Sequence, residues 1–330
     1  MKATKSIAFM FPGTGAERVG MGKDLFNEFA PARRLFREAN EIVGFDLARV
    51  IFEGPLDSPL PITCSQPASL TLSVVLATLL AEADVYPAVV TGHSHGEVAA
   101  LVIAGVLSFQ EAIRLVLRRA QLIEALGPRH GAMMAVIGAS REQVGVWCNL
   151  ASTVADVEIA NYNAPRQIVV SGESAGLEVV EQLALKSGAC QCIRLRIRHP
   201  FHTRLLKRVE NALEDELREV NFRDAEIPVI SNADGTSVRS GAAWRSLFLR
   251  QLCGTVDWVR TVECVNKYRP SFLIELGAGR VLQGLVRRMT PGVEVLGAQC
   301  CKTVRHLISR LSLLREIPRY REGSRELCAT

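Results

Sequence analysis

The sequence lacks the features that define several classes of protein. Its nine cysteines among 330 residues are an odd number without framework spacing, which argues against a disulfide scaffold and fits a reducing compartment. The close pairs, Cys190/Cys192 and Cys300/Cys301, have no second Cys or His pair at zinc-site spacing, so we expect no metal. Aromatic residues make up only 6% and do not interleave with basic ones, which disfavours binding to nucleic acid.

Long apolar runs and a secretory leader pattern are also missing. The apolar run from Val98 to Leu107 is about half of what a bilayer span requires, so we expect no membrane helix and no membrane partner. The short apolar stretch before Pro12 is too brief for a secretory leader, which predicts a cytoplasmic protein. The formal charge is a modest +5, but arginines concentrate at 194–198 and from Arg305 to Arg325. These arginines indicate either a solvated surface or a docking face for an acidic partner.

The order of the predicted elements indicates an α/β fold. Strand patterns alternate with helical ones through most of the chain, which predicts a hydrolase-like core with a mostly parallel sheet covered on both faces. Between residues 131 and 198 the order changes to βαββαβ, the ferredoxin-like arrangement. We therefore predict a large subdomain from residues 1–130 and 199–330, with an inserted small subdomain at 131–198. A long helix is predicted from Ser65 to about Ala83, with Pro67 in its first turn.

One stretch has the pattern of a nucleophile elbow. A β-branched run enters the turn Gly92-His93-Ser94-His95-Gly96, and an Ala- and Leu-rich run at helical spacing leaves it. This strand–turn–helix context is the one in which a Gly-x-Ser-x-Gly turn exposes its serine. Side chains at the flanking glycine positions would collide in so sharp a turn. Ser94 is therefore the candidate nucleophile.

A serine nucleophile needs a base, and histidine is the usual one. The histidines are His93, His95, His130, His199, His202 and His306. His93 and His95 flank Ser94, and because neighbouring residues of the elbow point in different directions, their rings point away from the serine side chain. His130 lies in a predicted loop and His306 in a predicted surface helix. His202 opens the return from the inserted subdomain to the main sheet, and it is the preferred base.

Several motifs together resemble one family. In chain order they are Phe11-Pro12-Gly13-x-Gly15, Gln66-Pro67, Gly92-His93-Ser94-x-Gly96-Glu97, Arg119, His199-x-Phe201-His202, Gln251 before Val256-x-Trp258, and Glu275-Leu276-Gly277-x-Gly279. The same series occurs in malonyl-CoA:acyl carrier protein transacylases and in the acyltransferase domains of polyketide synthases. The similarity covers about residues 5 to 300, and the chain resembles a stand-alone member of that family.

The resemblance implies a role for each residue of the catalytic centre. Ser94 would attack a thioester carbonyl, with His202 taking its proton and later activating the incoming thiol. The backbone N–H groups of His95 and Thr14 would hold the oxyanion. A carbonyl oxygen near Gln251, rather than a carboxylate, would orient the base.

The resemblance also implies the substrate and the partner. Arg119 would bind the free malonyl carboxylate, Phe201 would crowd an α-methyl group and so favour malonyl over methylmalonyl, and Gln66 and Gln251 would lie at the substrate site. The substrate would be a coenzyme A thioester, with no permanently bound cofactor. The partner would be an acidic, phosphopantetheinylated acyl carrier protein in fatty acid or polyketide synthesis.

Two departures from the family pattern leave more than one function open. Thr14 stands where glutamine is usual, and His95 replaces the commoner leucine, valine or glutamine. His95 either packs at the pocket wall or changes the acyl preference, for example towards a substituted malonyl group. The chain could also be an editing acyl-thioester hydrolase, a non-catalytic docking subunit or, if the resemblance is set aside, a secreted serine esterase. The presence of Arg119 argues against the hydrolase.

Overall fold

The computed structural model of the chain describes residues 6–54, 60–126, 131–188 and 191–313. Its strands are β1 (Ile7–Phe11), β2 (Val89–Gly92), β3 (Gly131–Ile137), β4 (Val157–Ala164), β5 (Gln167–Glu173), β6 (Gln191–Arg194), β7 (Val229–Ile230), β8 (Ser237–Val238), β9 (Val256–Asp257), β10 (Phe272–Leu276) and β11 (Glu294–Ala298). Its helices are α1 (Lys23–Glu28), α2 (Ala30–Val43), α3 (Leu47–Glu53), α4 (Ile62–Glu82), α5 (Glu97–Ile103), α6 (Phe109–Ala125), α7 (Arg141–Ala151), α8 (Ser174–Lys186), α9 (Lys207–Glu216), α10 (Gly241–Cys253), α11 (Trp258–Asn266), α12 (Val281–Val286) and α13 (Cys301–Ser312).

The larger sheet positions the elbow. Its strand order is β11-β10-β1-β2-β7-β8, and neighbours pair in parallel except β7 with β8. Every residue of β1 is buried, as expected for a continuous apolar strand covered on both faces. The predicted α/β fold with a mostly parallel sheet is confirmed. Because Phe11 at the end of β1 lies opposite Gly92 at the end of β2, the loops that follow these strands meet at one edge of the sheet.

The smaller sheet has the order β6-β3-β5-β4-β9. Strands β3 to β6, with α7 and α8 between them, follow the predicted βαββαβ order and pair antiparallel. Their apolar core includes Met134, Trp147 and Leu177. The short strand β9 comes from after residue 198 and pairs in parallel with β4. We propose that residues 1–130 and 199–330 form the large subdomain and residues 131–198 the small one. Strand β9 then belongs to the large subdomain by its place in the sequence but pairs with the sheet of the small one.

The long helix α4 begins earlier than the sequence predicted. It starts at Ile62 rather than Ser65, so Pro67 lies inside the helix and not in its first turn. The helix is long and apolar enough to cross a membrane, but 83% of its most apolar 18-residue stretch is buried within the protein. Such a helix is apolar on every side because it is packed on every side, and α2 and α6 are among its neighbours.

Three short elements were not predicted from the sequence. Helix α3 spans two turns, and β8 and β9 have two residues each, so none of them contains enough periods to produce a pattern. The start of α3 does carry a local signal, because the Asp46 side chain accepts a hydrogen bond from the Arg49 backbone N–H at 3.0 Å. An aspartate in that position is a common N-cap.

Candidate active site

The elbow places Ser94 in a strained conformation at the edge of the sheet. Its φ angle is 51°, in the left-handed region that a residue with a side chain rarely adopts. Both flanking glycines are required by close backbone approaches. A Cβ on Gly92 would lie 2.0 Å from the carbonyl carbon of Gly96, and a Cβ on Gly96 would lie 2.2 Å from the Phe11 oxygen. The turn therefore forms only with glycine at these positions.

The structure brings Ser94 and His202 together. Ser94 Oγ lies 2.6 Å from His202 Nε2, and His202 Nδ1 lies 2.9 Å from the backbone oxygen of Gln251. Because a carbonyl only accepts, the proton of the neutral ring is on Nδ1 and the Nε2 lone pair faces the serine hydroxyl. Burial lowers the pKa of His202 to about 4, against the raising effect of the Gln251 carbonyl. His202 is therefore a neutral imidazole at pH 7 and can accept a proton.

Two side chains also hold the backbone of Ser94. The Ser94 N–H donates to Asn232 Oδ1 at 2.5 Å, and the Ser94 carbonyl accepts from Gln251 Nε2 at 3.0 Å. Sequence reasoning missed Asn232. A signal was present, since Asn232 follows β7 within two residues and β7 is the neighbour of β2, and polar residues after adjacent parallel strands gather at one edge.

The first glycine loop packs directly against the elbow. A Cβ on Gly13 would lie 2.6 Å from the His93 oxygen, and the His93 N–H donates to the Phe11 oxygen at 2.9 Å. Thr14 is partly exposed beside Ser94 and His95 at the same cavity. The backbone of Thr14 and that of His95 thus lie in the same region as the nucleophile. Their role as oxyanion donors stays a prediction.

Arg119 lines the same cavity and is buried, with only 4% of its surface exposed. One of its terminal nitrogens, Nη2, donates to Gln66 Oε1 at 3.2 Å and to His95 Nδ1 at 2.7 Å. Its guanidinium carbon lies 5.6 Å from the centre of the Phe248 ring. The Nε–H is buried without a hydrogen-bond partner among the described residues. This N–H therefore has a hydrogen bond left to donate.

The groups that are hydrogen-bonded to Arg119 carry no charge at pH 7. Burial, followed by the Arg119 charge, lowers the pKa of His95 to about 3, so this ring is neutral at pH 7, and Gln66 is an amide. Burial raises the pKa of Glu97 to about 8, while the N–H groups of Asn232 and Gln251 from which it accepts favour its charged form. Burial lowers the pKa of Arg119 to about 10, with the Glu97 charge opposing, so the guanidinium stays charged. A buried cation whose hydrogen-bond partners are neutral favours an anionic ligand.

The side chains of His95 and Gln66 are engaged by the protein itself. His95 Nε2 donates to the Gln66 backbone oxygen at 2.9 Å, so both ring nitrogens have partners. Gln66 Nε2 donates to Thr14 Oγ1 at 3.2 Å, while Gln66 Oε1 accepts from Arg119. Gln66 therefore connects the glycine loop to the arginine. The His95 ring, which stands where the family commonly has leucine, valine or glutamine, therefore lies at the wall of the cavity and is hydrogen-bonded to Arg119.

The cavity that these residues enclose is small. It is lined by Thr14, Gln66, Ser94, His95, Arg119, Phe201, His202, Gln251 and Leu252. Its volume of about 10 Å³ is room for about one water molecule. All eight residues that the sequence singled out for the site therefore line one cavity.

The His93 ring has partners other than Ser94. His93 lies 2.7 Å through Nε2 from Asn163 Oδ1 and packs edge-on against Trp258, with ring centres 5.3 Å apart. His306 is exposed on α13, and His130 is outside the described residues. In the described ranges no group of three or more His, Cys, Asp or Glu side chains has the arrangement of a metal site.

The geometry defines a class of protein. A serine with a strained backbone is hydrogen-bonded to a buried neutral histidine at the carboxyl edge of an α/β sheet. This arrangement is typical of enzymes that transfer acyl groups through an acyl-serine. The profile of the acyl transferase domain family matches residues 8–278. The chain belongs to this family, and within it to the malonyl-CoA:acyl carrier protein transacylase type.

Relatives and solved structures agree on this type. The chain is 34% identical to the malonyl CoA-acyl carrier protein transacylase of Bacillus subtilis strain 168 over 307 residues, which cover 92% of this chain and 97% of the relative. A malonyl-transacylase solved in complex with a type II polyketide synthase acyl carrier protein superposes with a TM-score of 0.89 at 32% identity, covering 92% of this chain and 99% of that one. An acyl carrier protein S-malonyltransferase from Vibrio cholerae gives 0.87 at 34% identity, with 92% and 99% coverage.

Proposed function

We propose that the chain transfers a malonyl group from coenzyme A to the phosphopantetheine thiol of an acyl carrier protein, through an acyl-enzyme on Ser94. The observation that carries this proposal is a single cavity lined both by Ser94 with His202 and by Arg119, whose Nε–H has no acceptor among the described residues. A thioester with a free carboxylate has the two groups that these residues require. The names of the relatives support the same substrate and partner.

In the first half-reaction His202 Nε2 takes the Ser94 proton as Oγ attacks the thioester carbonyl. The backbone N–H groups of His95 and Thr14 stabilise the negative oxygen that forms, which in related chemistry is worth about 3–4 kcal/mol for one donor. The thiol of coenzyme A leaves with the proton from His202. The second half-reaction is the reverse, with the carrier-protein thiol as the nucleophile. The coenzyme A thioester is substrate, and no permanent cofactor takes part.

The Gln251 carbonyl does the orienting work that a carboxylate does in a serine triad. It fixes the His202 tautomer through the Nδ1–H but adds no negative charge beside the imidazolium that forms. The buried ring therefore stays weakly basic, as its lowered pKa shows. A weak base suits a reaction in which the leaving thiol must be reprotonated by the same imidazolium.

Arg119 selects the substrate class in this proposal. Its unpartnered Nε–H binds the malonyl carboxylate, and charge-assisted bonds of this kind are about twice as strong as neutral ones. Phe201, 8% exposed and lining the same cavity, limits the space beside the α-carbon. At Thr14, where the family usually has glutamine, the side-chain hydroxyl accepts a hydrogen bond from Gln66 Nε2, and the backbone N–H can still serve as an oxyanion donor.

The surface beside the glycine loop supports a carrier protein as partner. Ile197 contacts the glycine loop, 3.6 Å from the position of a Cβ on Gly15, and Arg196 and Arg198 on either side of it are exposed. An acidic carrier protein would meet positive charge there. We assign the enzyme to the cytoplasm, because it must share a compartment with coenzyme A and the carrier protein, and to stand-alone use in fatty acid or polyketide synthesis.

Intact-protein mass spectrometry tests the proposal. The purified chain and Ser94→Ala are mixed with malonyl-, methylmalonyl- or acetyl-CoA, and a phosphopantetheinylated carrier protein is then added. We expect a malonyl adduct on the native chain, none on the variant, and passage of the adduct to the carrier. Release as free malonate with no transfer would replace the proposal by the hydrolase. Loading only by another acyl-CoA would replace malonyl by that group, and no loading by any of them would favour a docking subunit.

A further inference from the structure

A carboxyl group is buried behind the nucleophile, outside the substrate cavity. Glu97 is the first residue of α5 and is 1% exposed. Its Oε1 accepts from the backbone N–H of Asn232 at 2.7 Å, and its Oε2 accepts from Gln251 Nε2. Glu97 does not line the cavity that holds Ser94 and Arg119. Its partners are therefore protein groups, and its position needs an explanation different from substrate binding.

Both partners of Glu97 hold the peptide groups of Ser94. Asn232 Oδ1 accepts from the Ser94 N–H, and Gln251 Nε2 donates to the Ser94 carbonyl. Ser94 has a left-handed backbone with φ of 51°, which persists only where surrounding contacts enforce it. The two side chains enforce it from opposite ends of the residue. Glu97 in turn fixes the residues that carry those side chains.

The same contact reaches the base. The Gln251 backbone oxygen accepts from His202 Nδ1, while the Gln251 side chain is held by Glu97. One residue thus connects the orientation of the base to the backbone of the nucleophile. A shift of Gln251 would change both sides of the 2.6 Å contact between Ser94 Oγ and His202 Nε2.

We propose that Glu97 is a positioning residue of the reaction, whose carboxyl group holds Asn232 and Gln251 so that the hydroxyl of Ser94 and the ring of His202 stay in register. The inference rests on the proposed function only in taking Ser94 as the nucleophile and His202 as its base. Glu97 acts through its neighbours and touches neither substrate nor the reacting atoms.

Glu97→Gln is the sharpest perturbation that the structure offers. Both carboxyl oxygens of Glu97 face N–H donors, so the amide of a glutamine must turn its NH₂ towards one of them. One of the two hydrogen bonds that Glu97 accepts is lost, while the side chain keeps its size and shape. Glu275→Gln is a matched control, since Glu275 is also 1% exposed and its oxygens accept from N–H groups at the start of α12, among them those of Leu282 and Gln283, rather than from the residues that hold Ser94 or His202.

The readout is the rate at which a fluorophosphonate modifies Ser94, measured beside kcat and KM for malonyl-CoA and the Tm of each variant. The fluorophosphonate has no carboxylate, so its reaction does not depend on the malonyl assignment. We expect Glu97→Gln to slow phosphonylation and to lower kcat by about 10- to 100-fold, as for a displaced reacting pair, with little change in KM. Glu275→Gln should lower Tm while keeping both rates.

The outcomes separate the two claims. If Glu97→Gln lowers Tm but is phosphonylated at the native rate, Glu97 is structural only and the inference is wrong. If the native chain is phosphonylated but does not transfer malonyl, the proposed function is wrong. The positioning role is then decided separately, by the phosphonylation rate of Glu97→Gln. Gln251→Met is made in parallel in case Glu97→Gln does not fold. This variant keeps the backbone carbonyl that holds His202 and removes the side-chain amide that joins Glu97 to the Ser94 carbonyl. Phosphonylation of Gln251→Met at the native rate would also overturn the inference.

Discussion

Replacing Arg119 by methionine removes the charge from the acyl pocket and keeps much of the side chain's volume. The hydrocarbon part of the side chain can still pack on Phe248, which lies 5.6 Å below the guanidinium. Gln66 Oε1 and His95 Nδ1, which accept from Arg119, are neutral acceptors and can be resolvated without leaving a buried charge. The variant therefore removes the attraction for a carboxylate without adding a new charged group.

The expected loss follows from the burial of the pair. Truncating one partner of a buried, hydrogen-bonded charge pair costs about 2–5 kcal/mol, which corresponds to roughly 30- to 5,000-fold in kcat/KM. This loss should appear for malonyl-CoA alone. Acetyl-CoA has no carboxylate to lose the contact, so its kcat/KM should stay constant or rise as the pocket becomes less polar.

A competition assay at pH 7 measures the ratio directly. Malonyl- and acetyl-CoA are supplied together, and the two acyl carrier protein products are separated by mass. Arg118→Met is the matched control, because Arg118 is the neighbouring residue on α6 but is exposed and pairs with Glu216 at 2.7 Å. An unchanged malonyl-to-acetyl ratio in Arg119→Met, or an equal fall for both substrates, would refute the assignment of Arg119 to the carboxylate.

Two further predictions concern the base and the pocket wall. Since burial lowers the pKa of His202 from 6.5 to about 4, the base stays neutral as the pH falls to that value, and the acid limb of the kcat/KM profile should lie near pH 4; a limb between pH 6 and 7 would contradict the burial argument. Phe201→Ser should raise kcat/KM for methylmalonyl-CoA relative to malonyl-CoA by about tenfold or more, within the range expected for one methyl group. Assay of both thioesters with the native chain as reference checks this, and an unchanged ratio would show that Phe201 does not limit the α-substituent.

The local patterns of the sequence were sufficient for the elbow and the fold class. The glycines around Ser94, the apolar strand before them and the apolar helix after them act over a few residues, and steric exclusion at Gly92 and Gly96 leaves one backbone conformation. The capping box of Ser108 and Glu111 at the start of α6 is an equally local feature. Short elements such as α3 escaped, because two turns of helix give too little periodicity.

The resemblance to a family identified residues that no local pattern could connect. His202 and Arg119 are 108 and 25 positions from Ser94, and nothing in their own surroundings distinguishes them from a structural histidine or a surface arginine. The structure places both at one cavity. Their roles remain predictions until the variants are measured, but their proximity to Ser94 is a property of the tertiary fold.

The sequence by itself determined the elbow, the alternation of strands and helices, and the residue types available for the chemistry, because these depend on sterics and periodicity between near neighbours. Only the tertiary structure decided the hydrogen bonds that join Asn232, Glu97 and Gln251 to Ser94. It also decided that the hydrogen-bond partners of the buried Arg119 are the neutral side chains of Gln66 and His95. Both depend on burial and on contacts between residues far apart in the chain, and a side chain's pKa and partners follow from which groups the folded chain brings within about 3 Å of it.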